Sequence, residues 1–172
     1  MTPPVFLDAP DGGSIGLMPC PGRFDTVEND AARIVDAEVD LVLSLIQASE
    51  HPETLARLPA LLASRGIAWR HLPIVDFGVP DKEMDIAWRD LARDIHDRLD
   101  RGDRVLVHCW GGLGRSGTIV LRILVERGED ADGALARLRS ARKGAVETGP
   151  QLAWAQAGRL RVRPIAGQMD GK

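Results

Sequence analysis

Apolar residues along this chain alternate between short solid runs and longer stretches where they recur every three or four positions. Leu41 to Ile46 (LVLSLI) and Arg104 to His108 (RVLVH) are compact runs, the signature of strands buried on both faces of a parallel sheet. Ile67 to Leu72 reads as another strand, and a short one is expected near Ser14 to Met18, after an extended entry rich in Pro and Gly. The helical stretches lie between these runs. Val27 to Ala37 is a short helix with Glu28 and Asp30 near its start. Pro52 to Ser64 carries a stripe of Leu55, Leu58, Leu61 and Leu62 and ends at Gly66, with Pro59 inside it expected to split it in two. Pro73 to Asp81 is a loop. Asp85 to Leu99 repeats Ile86, Leu91, Ile95 and Leu99 near helical spacing and closes at Gly102. Further helices are expected over Arg115 to Arg127, Asp132 to Arg142 and Gln151 to Val162.

Strand and helix alternating through short connections imply one α/β domain, a mostly parallel central sheet flanked by helices. It is expected to occupy residues 1–164, with 165–172 as a flexible tail. The length of 172 residues suits a single domain. With 4% aromatic residues and no tyrosine, the core must rest on Leu, Val, Ile and Ala. A net charge of −3 argues against a nucleic-acid binder, and no apolar stretch is long enough to span a bilayer. MTPPVFLDAPDGG lacks the basic-then-apolar order of a secretory signal. Two cysteines make no disulfide framework, and no metal-ligand spacing separates them. Together these features suggest a reducing, cytoplasmic setting, which suits chemistry that needs a free thiol.

That chemistry is concentrated in VHCWGGLGRSGT, Val107 to Thr118, where a buried strand ends and a helix begins. Open α/β sheets place their ligand sites at such junctions. Gly111, Gly112 and Gly114 let the backbone of Trp110 to Arg115, Leu113 included, turn tightly enough for successive N–H groups to face inward. With the following helix start they make a cradle for a phosphate dianion. Arg115 adds a planar fork that can hold two phosphate oxygens. Cys109 opens the cradle, where inward amide dipoles and the arginine favour the attacking thiolate. His108 is expected to orient the cysteine backbone and add to this field, and Ser116 to hydrogen-bond the sulfur as it leaves. Taken singly, Cys109 reads as a small buried hydrophobe, the glycines as a turn and Arg115 as a surface charge. In this order, between a strand and a helix, they read as a phosphate site.

His108, Cys109, five residues, Arg115 and Ser116 resemble the signature of the cysteine-based tyrosine and dual-specificity phosphatases without a departure. The interior Trp-Gly-Gly-Leu-Gly is most similar to their kinase-associated (cyclin-dependent kinase inhibitor 3-like) branch. CPGRF (Cys20 to Phe24), PIVDFGVPD (Pro73 to Asp81) and AVETGPQ (Ala145 to Gln151) resemble that branch's N-terminal segment, acid loop and late loop. The resemblance implies a dual-specificity fold and a protein phosphatase working through a phosphocysteine, with phosphoprotein as substrate and neither metal nor cofactor.

An alkoxide leaving group needs a proton donor from another loop, and Asp76 and Asp81 are both candidates. The family comparison favours Asp76, four residues before Pro80, and Asp81 otherwise reads as a turn or helix-start residue. The same comparison suggests that Gln151 places the hydrolytic water, although it also reads as a polar residue in a helix's first turn; Glu147 and Thr148 are weaker candidates. His51, His71 and His96 are expected at the surface or at strand ends. Arg137, Arg139, Arg142 and Lys143 form a basic helix face, either solvated or able to steer an acidic substrate. Oxidation could link Cys20 to Cys109. An inositol-phosphate or lipid phosphatase is the competing enzyme reading, disfavoured because the five residues after Cys109 hold no cation. A non-catalytic phosphate-binding module is the competing reading of another class.

Overall fold

The computed structural model describes residues 3–161. In chain order the elements are β1 (Val5–Asp8), β2 (Ser14–Met18), α1 (Val27–Asp36), β3 (Leu41–Ser44), α2 (Pro52–Ala63), β4 (Ala68–His71), α3 (Lys82–Asp100), β5 (Arg104–His108), α4 (Gly114–Glu126), α5 (Ala131–Ala141) and α6 (Gly149–Gln156). The strands form one sheet in the order β1-β2-β5-β3-β4. β2, β5, β3 and β4 run parallel, and β1 pairs antiparallel with β2. Strand residues alternate between two cores. Ile15, Leu17, Leu41, Leu43, Val105 and Val107 face the core covered by α3 to α6. Met18, Val42 and Leu106 face the smaller core under α1 and α2.

The structure changes several sequence expectations. β1 carries no repeating signal of its own, and its pairing with β2 follows a turn at Asp11, Gly12 and Gly13, all with positive φ. α2 runs unbroken through Pro59, because Leu58 and Leu62 on either side are fully buried and hold that turn in place. α3 begins at Lys82 rather than Asp85, since the Asp81 carboxylate accepts from the N–H groups of Glu83 and Met84 and caps the helix. Its buried face is Trp88, Ala92, Ile95, His96 and Leu99, and Ile86 is left exposed. α6 stops at Gln156, short of the expected end at Val162. Val162 and the 164/165 boundary lie outside the described residues. Among those residues no helix is long and apolar enough to cross a membrane.

Candidate active site

Four loops leave the carboxyl ends of the parallel strands on the same edge of the sheet: 19–26 after β2, 45–51 after β3, 72–81 after β4 and 109–113 after β5. The last carries Cys109, which is buried with its sulfur surrounded by donors. The Gly112 N–H donates to Sγ at 3.3 Å, and the Ser116 hydroxyl lies 3.4 Å away. The turn that makes this possible needs a glycine at 112. Its φ is +67°, and a Cβ there would run into the backbone of Met18 and Pro19.

Arg115, on the first turn of α4, is 1% exposed. Its two Nη groups hold both oxygens of Glu50, each at 2.7 Å, and Nη1 also donates to the Ile74 carbonyl at 2.9 Å. Burial works against the charge of either partner, but their hydrogen bonds keep the Glu50 carboxyl below its ordinary range and the Arg115 guanidinium above its own. The Arg115 Nε–H is buried without a partner. Glu50 therefore fixes the guanidinium end-on and leaves its other edge available to an anion. Sequence reasoning did not single out Glu50. The signal it overlooked was position, since Glu50 follows β3 at the same sheet edge as the cysteine loop.

His108 is fully buried, and burial pushes its pKa down to about 4. It is a neutral imidazole at pH 7, so it adds no cation to the field at Cys109. Trp69 Nε1–H donates to Ser44 Oγ at 2.8 Å, and Ser44 in turn lies 2.6 Å from His108 Nε2. This leaves Nδ1–H to face the Cys109 carbonyl at 3.5 Å. A chain of hydrogen bonds from edge strand β4 thus orients the cysteine backbone.

Asp76 sits 3.1 Å from Arg115 Nη2, with its side chain about half exposed (53%). Asp81 is engaged as the α3 cap, so of the two candidate acids only Asp76 is paired with Arg115. Phe77, next to it, adopts φ +58°, a left-handed conformation that a bulky residue keeps only when its surroundings hold it. Those surroundings come from the late loop. The Thr148 hydroxyl donates to the Phe77 carbonyl at 3.4 Å, and Gln151 Nε2 donates to the Gly78 carbonyl at 3.2 Å. Gln151 is fully buried, and its Oε1 accepts from the Glu147 and Thr148 N–H groups. Its side chain is thus committed to tying the acid loop to α6 rather than left free to hold a water.

The other residues singled out are placed as follows. On the basic stretch at the end of α5, Arg139 donates to the Ala145 and Val146 carbonyls and Arg142 to those of Gly111 and Gly112, while Lys143 is exposed. Arg137 pairs with Glu129. Arg23, also unnoticed in the sequence, donates to the Trp110 carbonyl at 3.0 Å. His96 is buried against Glu126 at 2.8 Å, His51 caps α2, and His71 lies 2.8 Å from the Ile46 carbonyl. Cys20 and Cys109 are both free thiols, and the Cys20 N–H bonds the Trp110 carbonyl at 3.1 Å.

Comparisons with known proteins bear on the family and the fold. The family described as "Swiss Army Knife protein, DSP-PTPase phosphatase domain" matches residues 16–155. Cyclin-dependent kinase inhibitor 3 of Rattus norvegicus is 33% identical over 98 residues, 54% of this chain and 45% of that protein. The chain spans about half the length of the curated relatives it matches. Among solved structures, Tk-PTP in its active form is 34% identical with a TM-score of 0.65, covering 86% of this chain and 91% of that one. Kinase associated phosphatase, at 21% identity, shares the fold with a TM-score of 0.74 over 90% of this chain and 93% of its own.

Proposed function

Because this chain belongs to the DSP-PTPase phosphatase family, we propose that it hydrolyses phosphoprotein monoesters, phosphotyrosine and also phosphoserine or phosphothreonine, through a phosphocysteine on Cys109. The observation that carries this reading is the buried, unpartnered Arg115 Nε–H on the helix that follows the cysteine loop, whose sulfur accepts from Gly112 and touches Ser116. In the first step the Cys109 thiolate attacks phosphorus and the bond to the leaving oxygen breaks, with Asp76 delivering the proton. A phosphate on Arg115 competes for the Nη2 group that Asp76 now contacts, which frees the acid to meet the leaving oxygen. In the second step water attacks phosphorus, Asp76 takes its proton and the P–S bond breaks. Gly112 N–H and Ser116 receive the returning thiolate, and inorganic phosphate departs. The loop amides and Arg115 hold the equatorial oxygens throughout. Gln151 serves this cycle as the tie that keeps the Asp76 loop over the cradle. The two free thiols fit a reducing, cytoplasmic site of action.

The test is hydrolysis of an aryl phosphate in chelator-treated buffer by wild type and Cys109→Ser, followed by a panel of phosphotyrosine, phosphothreonine and phosphoinositide substrates. Wild type is expected to turn over the aryl phosphate and the phosphopeptides, and Cys109→Ser to bind phosphate without turnover. A preference for inositol headgroups would move the substrate to lipid. A folded, wholly inactive wild type would leave a phosphate-binding module.

A further inference from the structure

Both peptide groups that follow Gly111 and Gly112 are gripped from outside the site by a single side chain. Arg142 leaves α5 at its C-cap, partly buried, and spans two consecutive carbonyls of the cysteine loop. Its Nε donates to the Gly112 oxygen at 3.0 Å and its Nη2 to the Gly111 oxygen at 3.1 Å. In a trans peptide the C=O and the following N–H point in opposite directions. The Gly111 carbonyl and the Gly112 N–H belong to one such peptide. Its oxygen rests on Arg142 and its N–H rests on the Cys109 sulfur at 3.3 Å.

This peptide lies between two glycines, where the backbone meets little steric resistance to flipping. A flip would turn the Gly111 oxygen toward the sulfur, where it would repel both a thiolate and a bound phosphate. The glycines that allow the loop to fold cannot themselves select the right orientation. We propose that Arg142 is a positioning residue that locks the Gly111–Gly112 peptide with its N–H on Cys109 and, by polarising that peptide, sustains the charge of the nucleophile. A cation on the carbonyl end of a hydrogen-bonded peptide strengthens the donor at the other end. The coupling is also visible in the arginine: burial lowers the Arg142 pKa, and the nearby Cys109 charge acts to raise it. Arg23 grips the preceding carbonyl, at Trp110, so three successive oxygens of the loop are held outward by arginines.

The proposal rests on Cys109 as the nucleophile, but its test needs no turnover. The rate of Cys109 alkylation by iodoacetamide would be followed against pH in a Cys20→Ser background, for otherwise wild-type protein, Arg142→Ala, Arg142→Lys and, as a control from the same helix, Arg137→Ala. Arg142→Ala is expected to slow alkylation near pH 6 about tenfold, move the profile to higher pH and weaken inorganic phosphate binding about tenfold, the scale of one charge-assisted hydrogen bond. Added guanidinium ion should restore part of the loss. Arg142→Lys, which keeps the charge but cannot bridge two carbonyls, should fall between, and Arg137→Ala should match wild type. Unchanged profiles in folded Arg142 variants would overturn the proposal; if Arg142→Ala does not fold, Arg142→Lys decides alone. Failure of the phosphatase reading would appear separately, as intact alkylation behaviour in a protein that hydrolyses nothing.

Discussion

Cys20 and Cys109 leave neighbouring parallel strands, and their loops are joined by a backbone hydrogen bond, yet their surroundings favour opposite chemistry. Both are 2% exposed. The Cys109 sulfur accepts from an N–H and meets a hydroxyl, and Arg142 holds the carbonyl of the donating peptide. The Cys20 thiol instead points at oxygens, the Pro21 carbonyl at 3.5 Å and Thr54 Oγ1 at 3.8 Å. Thr54 is itself spent as a donor, to Pro21 or the nearby His51 ring. Burial pushes Cys20 up to about 12. Depth in the protein does not decide whether a cysteine reacts, because the polarity of the few groups touching the sulfur does.

The contrast is broken most sharply by exchanging each sulfur for oxygen. Cys109→Ser should lower kcat by at least about 10⁴-fold, as removal of a covalent nucleophile does, whereas Cys20→Ser should leave kcat/KM within about threefold. Comparable losses in steady-state assays of both variants would show that the two thiols share a role. A smaller effect separates the acid from the cradle. Asp76→Asn should cost about 10²-fold on alkyl phosphates and far less on an aryl phosphate with a good leaving group. If Asp81→Asn, removing the α3 cap, gave that pattern instead, the acid would be misassigned. The mildest test reads stability. Folding favours the protonated Cys20 thiol, with its pKa near 12 against an ordinary 9.0. That stabilisation is whole below pH 9 and fades as pH climbs toward 12, a loss of about 4 kcal/mol. His108, held near 4 against an ordinary 6.5, works in the other direction. Folding favours its neutral form, so about 3 kcal/mol is present above pH 6.5 and disappears as pH falls toward 4. Urea midpoints across pH should show both limbs, and Cys20→Val should flatten only the alkaline one.

The cysteine loop was legible because its parts are contiguous: strand, Cys109, three glycines, Arg115 and helix lie within twelve residues, and local backbone physics explains each of them. The parallel core strands were legible for the same reason. Glu50, Ser44 and Arg142 were not, since each acts on the loop from far along the chain, 65 residues away in the case of Glu50 and Arg115. Their partners are backbone carbonyls, one guanidinium and one imidazole, which leave no local pattern. The basic run on α5 was visible as composition, but that could not tell an arginine facing water from one facing a carbonyl. Gln151 was singled out for a water, and only its partners show that it ties the late loop to the Gly78 carbonyl.

The sheet edge has a consequence for how such a protein can diversify. Cys109, Arg115 and the peptides of the cysteine loop are held by Glu50, Arg142 and the Ser44–His108 pair, which reach them from other parts of the chain. Phe24, Val75 and Phe77, exposed at 60%, 62% and 58%, belong to the separate loops after β2 and β4. The same two loops also carry Asp76, the Ile74 carbonyl that accepts from Arg115, and Arg23 on the Trp110 carbonyl. Floor and rim of the site are therefore threaded through single loops, so variation is open to the exposed side chains one at a time and closed to replacement of either loop as a whole.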